Sequence, residues 1–386
     1  MNPRLDIDRI IVDRRTRIIV CCGSGGVGKT TTAAAIGLRA AERGRQVCVL
    51  TVDPARRLAQ SMGLTSLDNT PRLVDGVDDT AGGSLHAMML DMKRTFDEIV
   101  EAHADPARAA QILANPFYQS LSSSFAGTQE YMAMEKLGQL RRSNEWDLIV
   151  VDTPPSRSAL DFLDAPERLG RFLDGRLIRV LTAPVKAGRP FGRVLNAGIS
   201  VMTGAMTKLL GGQVLRDAQT FITAFDTMFG GFRERAEATY KLLQAPGTSF
   251  VVIATPEPDA LREASYFVER LAEERMPLAG LILNRVHSLV KNGSGIMLSA
   301  ARSLAAAETL EAMPNDGVAD VSSATYSVAA AALRLHAERM NLSERERRVA
   351  GSFASTHPAV PVTEIPALPE DVHDLAGLRR IGEALA

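Results

Sequence analysis

The stretch that most restricts this chain runs from Thr16 to Thr30: an apolar segment, TRIIVCC, followed by Gly23-Ser24-Gly25-Gly26-Val27-Gly28-Lys29-Thr30. The apolar run is short, rich in β-branched residues and bounded by glycine, which predicts a buried strand. From Lys29 the chain becomes alanine-rich, which predicts a helix with Gly44 as its stop. A strand, a GxxxxGK[ST] loop and a helix, in that order, make a phosphate cradle. Its glycines let main-chain N–H groups approach phosphate oxygens, and the helix N-terminus adds partial positive charge. Lys29 is then the cation for the β- and γ-phosphates, Thr30 the ligand for Mg²⁺, and Thr31 a hydroxyl near the α-phosphate.

Gly23, Gly25 and Gly28 also satisfy GxGxxG, and Asp53 ends the next apolar run where a dinucleotide fold places its ribose-binding acid. That alternative leaves Lys29 and Thr30 idle and gives no role to a second acidic strand end, Asp152. A triphosphate with a divalent ion uses all three. A glycine turn that binds nothing is weaker still, because glycines lose the most backbone freedom on folding. Asp152 closes LIVVD and fits a Mg²⁺-associated acid, with a turn-capping aspartate as the competing role. Asp53-Pro54-Ala55 fits a carboxylate that aligns an attacking water, and equally an ordinary Asp-Pro turn.

Further apolar strands are expected at Gln46–Asp53, Leu85–Leu90, Trp146–Asp152, Ser249–Thr255 and Leu278–Asn284, with a last one in AVPVTEIP. Continuous apolar strands alternating with helices imply an α/β fold with a doubly wound, mostly parallel sheet. The strand-poor stretches 91–142 and 157–245 are expected to be helical insertions that form a helical subdomain. Residues 296–356 suggest two or three helices, and DLAGLRRIGEALA a closing one. The expectation is thus a single domain over residues 1–386, with a C-terminal loop and helix at 358–386.

Lys plus Arg number 44 and Asp plus Glu 45, so there is no global basic field to draw the chain onto nucleic acid or anionic lipid. Cys21, Cys22 and Cys48 lie in strand-like runs without a CxxC pair, against a disulfide scaffold or a thiolate zinc site. MNPRLDIDRIIVDRR has no apolar signal core and no clean spanning segment follows. The expected location is cytoplasmic, with peripheral membrane association left open.

The three strand-end motifs together resemble the ArsA-type ATPases. That family includes the arsenite-pump ATPase and the ATPase that targets tail-anchored membrane proteins. It shares a deviant Walker A loop with MinD and ParA. LDFLDAPERLGRFLDG, TPEPDALREASYFVERLAEERMPLAGLILNRV and VTEIPALPEDVHDLAGLRRIGEAL extend the resemblance along the chain. It implies that Gly25, Gly26, Val27, Gly28, Lys29, Thr30 and Thr31 hold the phosphates and Mg²⁺. Asp53 positions the hydrolytic water, and Asp152 supports Mg²⁺ through water. Asn284 reads adenine, while Pro366, Leu368 and neighbours up to Asp371 pack on the base. The loop departs from the family's pattern at Ser24, where a signature lysine reaching across a dimer is usual; Arg56, Arg57 and Arg157 are candidate substitute cations. The implied activity is Mg-dependent ATP hydrolysis by a nucleotide-gated dimer. A lysine-bearing paralogue is the suspected partner, a homodimer the alternative, with a client protein or membrane component beyond and no nucleic acid. The Met-rich stretch Phe191–Phe232 is either a client groove or core, the latter favoured. The runner-up functions are a regulatory nucleotide-binding subunit and a MinD- or ParA-like positioning ATPase.

Overall fold

A computed structural model of the chain describes residues 2–52, 57–64, 66–116, 118–119, 128–153, 234–287, 298–312 and 323–386. Its sheet is built from β1 (Ile18–Cys22), β2 (Gln46–Thr51), β3 (Arg72–Leu73), β4 (Ser84–Met89), β5 (Leu148–Asp152), β6 (Thr248–Ala254), β7 (Leu278–Val286) and β8 (Val362–Pro366). The strands lie in the order β3-β4-β2-β5-β1-β6-β7-β8. Every neighbouring pair is parallel except β3–β4. From β1 the chain winds outward in both directions, so the expected doubly wound α/β sheet is what forms. The central strands β1 and β5 are buried along their whole length, as unbroken β-branched runs require when helices cover both faces.

The helices are α1 (Ile7–Val12), α2 (Lys29–Ala41), α3 (Arg57–Ser61), α4 (Met92–His103), α5 (Pro106–Leu113), α6 (Thr128–Ser143), α7 (Pro258–Glu273), α8 (Ala300–Glu311), α9 (Ser323–Thr356) and α10 (Leu375–Ala384). Alanine-rich α2 packs against β2 and β5, and its small side chains are buried from Ala33 to Ala35 and again at Ala40 and Ala41. It closes as foreseen near Gly44: Arg45 N donates to Ala40 O at 3.2 Å and Gly44 N to Ala41 O at 2.9 Å. Helix α7 buries Ala260, Leu261, Ala264, Phe267, Val268 and Leu271, one stripe at helical spacing. Among the described residues of the first strand-poor stretch, α4, α5 and α6 are helical. Lys136 of α6 pairs with Glu98 of α4 at 3.0 Å, and buried Glu135 takes Arg142 at 3.2 Å and Arg235 at 3.0 Å. Of the second, residues 234–244 are helical, and the rest, the Met-rich stretch included, lies outside the described residues. Residues 296–356 contribute α8 and α9.

Helix α1 was not anticipated. It holds Ile7 and Ile11 against the core and is capped by Asp6, which accepts from Arg9 N at 2.9 Å. The buried guanidinium of Arg45 ties this segment to the sheet by donating to the carbonyls of Ile11, Asp13, Thr16 and Asp147. The closing helix α10 buries Leu378 and Ile381 in its packing on α2, and Arg379 donates to Glu42 Oε1 at 2.8 Å. That apolar face is therefore occupied within the fold. Among the described residues no helix is long and apolar enough to cross a membrane.

Candidate functional site

Strand order builds the site. β5 lies between β1 and β2, so Asp152 sits in register with Cys21 on one side and Thr51 on the other. This carboxylate is fully buried, and its Oδ2 accepts from Thr30 Oγ1 at 2.7 Å and Thr51 Oγ1 at 2.8 Å. Thr153 extends the joint by donating its hydroxyl to Cys21 O at 2.8 Å. In a dinucleotide fold the strand after the glycine loop pairs with the first strand itself. Here β2 pairs with β4 and β5 instead, and the GxGxxG alternative is left without its topology.

The loop between β1 and α2 is packed so closely that two of its glycines leave no room for a side chain. Gly28 has φ 94°, and a β-carbon on it would lie 2.2 Å from Asn284 Nδ2. At Gly23 an added β-carbon would lie 2.1 Å from Ile253 O. The first intrahelical bond of α2 is Thr32 N to Gly28 O, so the N–H groups ahead of it form the open helix end, where anions are favoured. Lys29 is buried, its ammonium donating to Gly23 O at 2.9 Å and Ser24 O at 2.8 Å. Gly25 is exposed at the tip, Val27 is buried beneath it, and Ser24 is half-buried with its carbonyl turned to Lys29.

Asn284, at the end of β7, does not stand apart from the loop. Its Nδ2 donates to Val27 O at 2.8 Å, and its Oδ1 accepts from Arg285 N at 2.9 Å. From here a cleft of about 830 Å³ opens between the phosphate loop and the segment after β8. Gly26, Gly28, Lys29, Thr30 and Thr31 line one end; Pro366, Leu368, Glu370 and Asp371 line the other. The structure thus brings the loop, Asn284 and the C-terminal loop onto one cavity. Asp53 lies outside the described residues, as do Arg56 and Arg157, and the side chain of Arg57 is not described.

Thr51, Gln60, Arg285 and His287 were missed by sequence reasoning. Gln60, Arg285 and His287 line the cleft, and His287 Nδ1 lies 2.7 Å from Glu346 Oε1 of α9. A threonine in an apolar strand carries no signal beyond strand propensity, and only the pairing with β5 gives Thr51 its role. Beneath the loop, burial pushes the thiol of Cys22 up to about 12 and that of Cys21 well above its ordinary value, with Asp152 adding to the latter. These are inert core thiols, not nucleophiles.

The donor set suits a magnesium–phosphate group: a threonine hydroxyl and a buried carboxylate are hard oxygen ligands, next to an open helix end and an ammonium. Among the described residues no cluster of three or more His, Cys, Asp or Glu side chains competes as a metal site.

ATPase GET3 of Ajellomyces dermatitidis (strain ER-3 / ATCC MYA-2586) is 26% identical over 279 residues, 72% of this chain and 75% of that protein, and ATPase GET3 of Blastomyces gilchristii (strain SLH14081) gives the same values. ATPase get3 of Aspergillus terreus (strain NIH 2624 / FGSC A1156) is 27% identical over 291 residues, 74% of this chain and 77% of that protein. The family profile of the anion-transporting (ArsA) ATPases matches residues 16–313. That span takes in every strand of the sheet but β8, and the chain belongs to the anion-transporting ATPase family.

Proposed function

We propose that this chain binds ATP with Mg²⁺ in the cleft and hydrolyses it by in-line attack of water. One observation carries the reading: Thr30 Oγ1 rests on Asp152 Oδ2 at 2.7 Å at the foot of a glycine loop that opens into the cleft. Phosphoryl transfer asks a protein mainly for positioning and charge neutralisation. The main-chain N–H groups of Gly25 to Gly28 and the helix end hold the phosphates, and Lys29 exchanges its loop carbonyls for phosphate oxygens. Thr30 and Asp152 would hold the metal, and Mg²⁺ bound there would offset negative charge on the polyphosphate oxygens. Asp53 orients the water. Asn284 meets the adenine edge while keeping its bond to Val27, and Pro366 and Leu368 cover the base.

The working unit is a nucleotide-gated dimer coupled to a client protein or a membrane component. Ser24 brings no charge to the second loop position, so a lysine-bearing paralogue completes this chain's site in a hetero-pair. The same serine supports the second reading, a nucleotide-binding regulatory subunit with little turnover of its own.

The test is equilibrium binding of ATP with Mg²⁺ or with excess EDTA, together with steady-state hydrolysis. Mg-dependent binding, lost in Lys29→Ala, is the expected result. An absence of ATP binding in Mg²⁺ refutes the proposal. Slow turnover alone that rises on mixing with a lysine-bearing relative supports the hetero-pair. Full turnover by the single chain, unchanged in Ser24→Ala, refutes it.

A further inference from the structure

We propose that Arg285 is a polyphosphate-binding residue, supplying a second cation to the nucleotide bound in this chain's own cleft; the proposal rests on the ATP reading of that cleft.

The backbone is the first observation. Arg285 has φ 59°, in the left-handed region. The other described non-glycine residues there, Asn144 and Arg275, follow the ends of α6 and α7, where a left-handed residue is the usual way to finish a helix. Arg285 has no such excuse, because it lies within a strand. β7 pairs Leu283 with Glu364 and Val286 with Pro366, so Asn284 and Arg285 together face one residue of β8. This is a bulge, and bulges re-aim side chains beside active sites. Regular alternation would send residues 284 and 285 to opposite faces of the sheet. With the bulge, both reach carbonyls of the phosphate loop: Asn284 Nδ2 to Val27 O at 2.8 Å and Arg285 Nη1 to Gly26 O at 3.3 Å. A strained backbone kept where glycine would relieve it points to a use for the side chain.

Charge is the second observation. Lys29 and Arg285 are the only Lys or Arg among the described residues lining the cleft. Arg285 is exposed and makes no ion pair among the described residues. Its guanidinium carries five N–H donors in a planar fork, and the bond to Gly26 O uses one. Such a fork matches phosphate geometry better than any other side chain does. Because the anchoring contact is to Gly26, in the phosphate loop itself, the group it serves is the phosphate tail and not the base. It thereby places positive charge beside a loop whose second residue is the uncharged Ser24.

The experiment is equilibrium binding of ATP, ADP and AMP, each with Mg²⁺, to the wild-type chain and to Arg285→Gln, Arg285→Lys and Arg285→Gly, with the melting temperature of each nucleotide-free protein. Gln and Gly variants are expected to bind ATP about tenfold more weakly or worse, the scale of one charge-assisted hydrogen bond. AMP affinity stays within about twofold, and Lys restores part of the ATP affinity. Nucleotide-free Arg285→Gly melts at or above the wild-type temperature, since glycine adopts this φ without strain. Equal losses for AMP and ATP overturn the proposal in favour of a base or ribose contact. Unchanged ATP affinity overturns it outright, and a lower melting temperature in Arg285→Gly marks the arginine as a structural strut. A wild-type chain that binds no ATP overturns the cleft reading itself, a result distinct from all of these.

Discussion

Asp152 offers the sharpest test of the site. It is fully buried, and its Oδ2 takes two hydroxyl donors, Thr30 at 2.7 Å and Thr51 at 2.8 Å. Valine has the shape of threonine, so Thr51→Val deletes one donor without opening a cavity. A hydrogen bond to a charged group contributes about 1.5–3 kcal/mol, more than a neutral one. Taking about 2 kcal/mol, the unfolding constant rises roughly thirtyfold. Urea denaturation of wild type, Thr51→Val, Asp152→Asn and the double variant closes a cycle, with an expected coupling of about 1–2 kcal/mol between neighbouring groups. Thr30→Val is expected to lose a similar amount in the nucleotide-free chain, but it differs in one respect. The gain in melting temperature from Mg·ATP persists in Thr51→Val and disappears in Thr30→Val. A Thr51→Val variant within about 0.5 kcal/mol of wild type, or one equally costly in the Asp152→Asn background, refutes the idea that these hydroxyls hold the carboxylate.

Two further outcomes follow from the same region. Burial raises the thiols of Cys22 and Cys48 to about 12 and that of Cys21 well above its ordinary value. Thiolate is the reactive form, so iodoacetamide at pH 8 should label the native chain about a thousandfold more slowly than a free cysteine, with the rate climbing as pH rises; one cysteine labelled at the free rate, seen by mass spectrometry, contradicts this. Gly28→Ala combines a left-handed backbone with a β-carbon 2.2 Å from Asn284 Nδ2, whereas a β-carbon at Gly26 meets nothing within 4 Å. The first should lose about 2–3 kcal/mol, strain plus the Asn284–Val27 bond, and Gly26→Ala only the strain of about 1–2 kcal/mol; equal losses in urea melts deny Asn284 its hold on the loop.

The parts of this fold that were legible in the sequence are those whose signal is local. IIVCC, LIVVD and SFVVIA are apolar without interruption because both faces of the central strands are covered, and each became a strand where expected. The short elements were illegible for the same reason. Helix α1 spans 6 residues, too few for a helical period to emerge, and β3 is an exposed pair, Arg72–Leu73, that is a strand only because β4 lies beside it. Arg285 was illegible because a bulge is one extra residue counted against a partner strand. No glycine marks it, so the sequence reads on as an ordinary strand end. Thr51 was illegible because its role needs contact with a residue 101 positions away.

That distance explains how one glycine pattern supported two readings. A phosphate loop and a dinucleotide loop are alike over the six residues from Gly23 to Gly28. They differ in which strand lies next to the loop's own, a question no short window answers. Inserting β5 between β1 and β2 replaces the acid that follows β2 with the acid that ends β5, and it aims that acid at the first turn of α2. A carboxylate delivered there meets the Thr30 hydroxyl, an arrangement suited to a metal-bound phosphate and not to a ribose. Lys29 and Thr30 are therefore the local imprint of a long-range choice: they are needed only if the strand order is 2-5-1. Their presence in the sequence favoured a phosphate loop over a dinucleotide loop, and the strand order agrees with that choice.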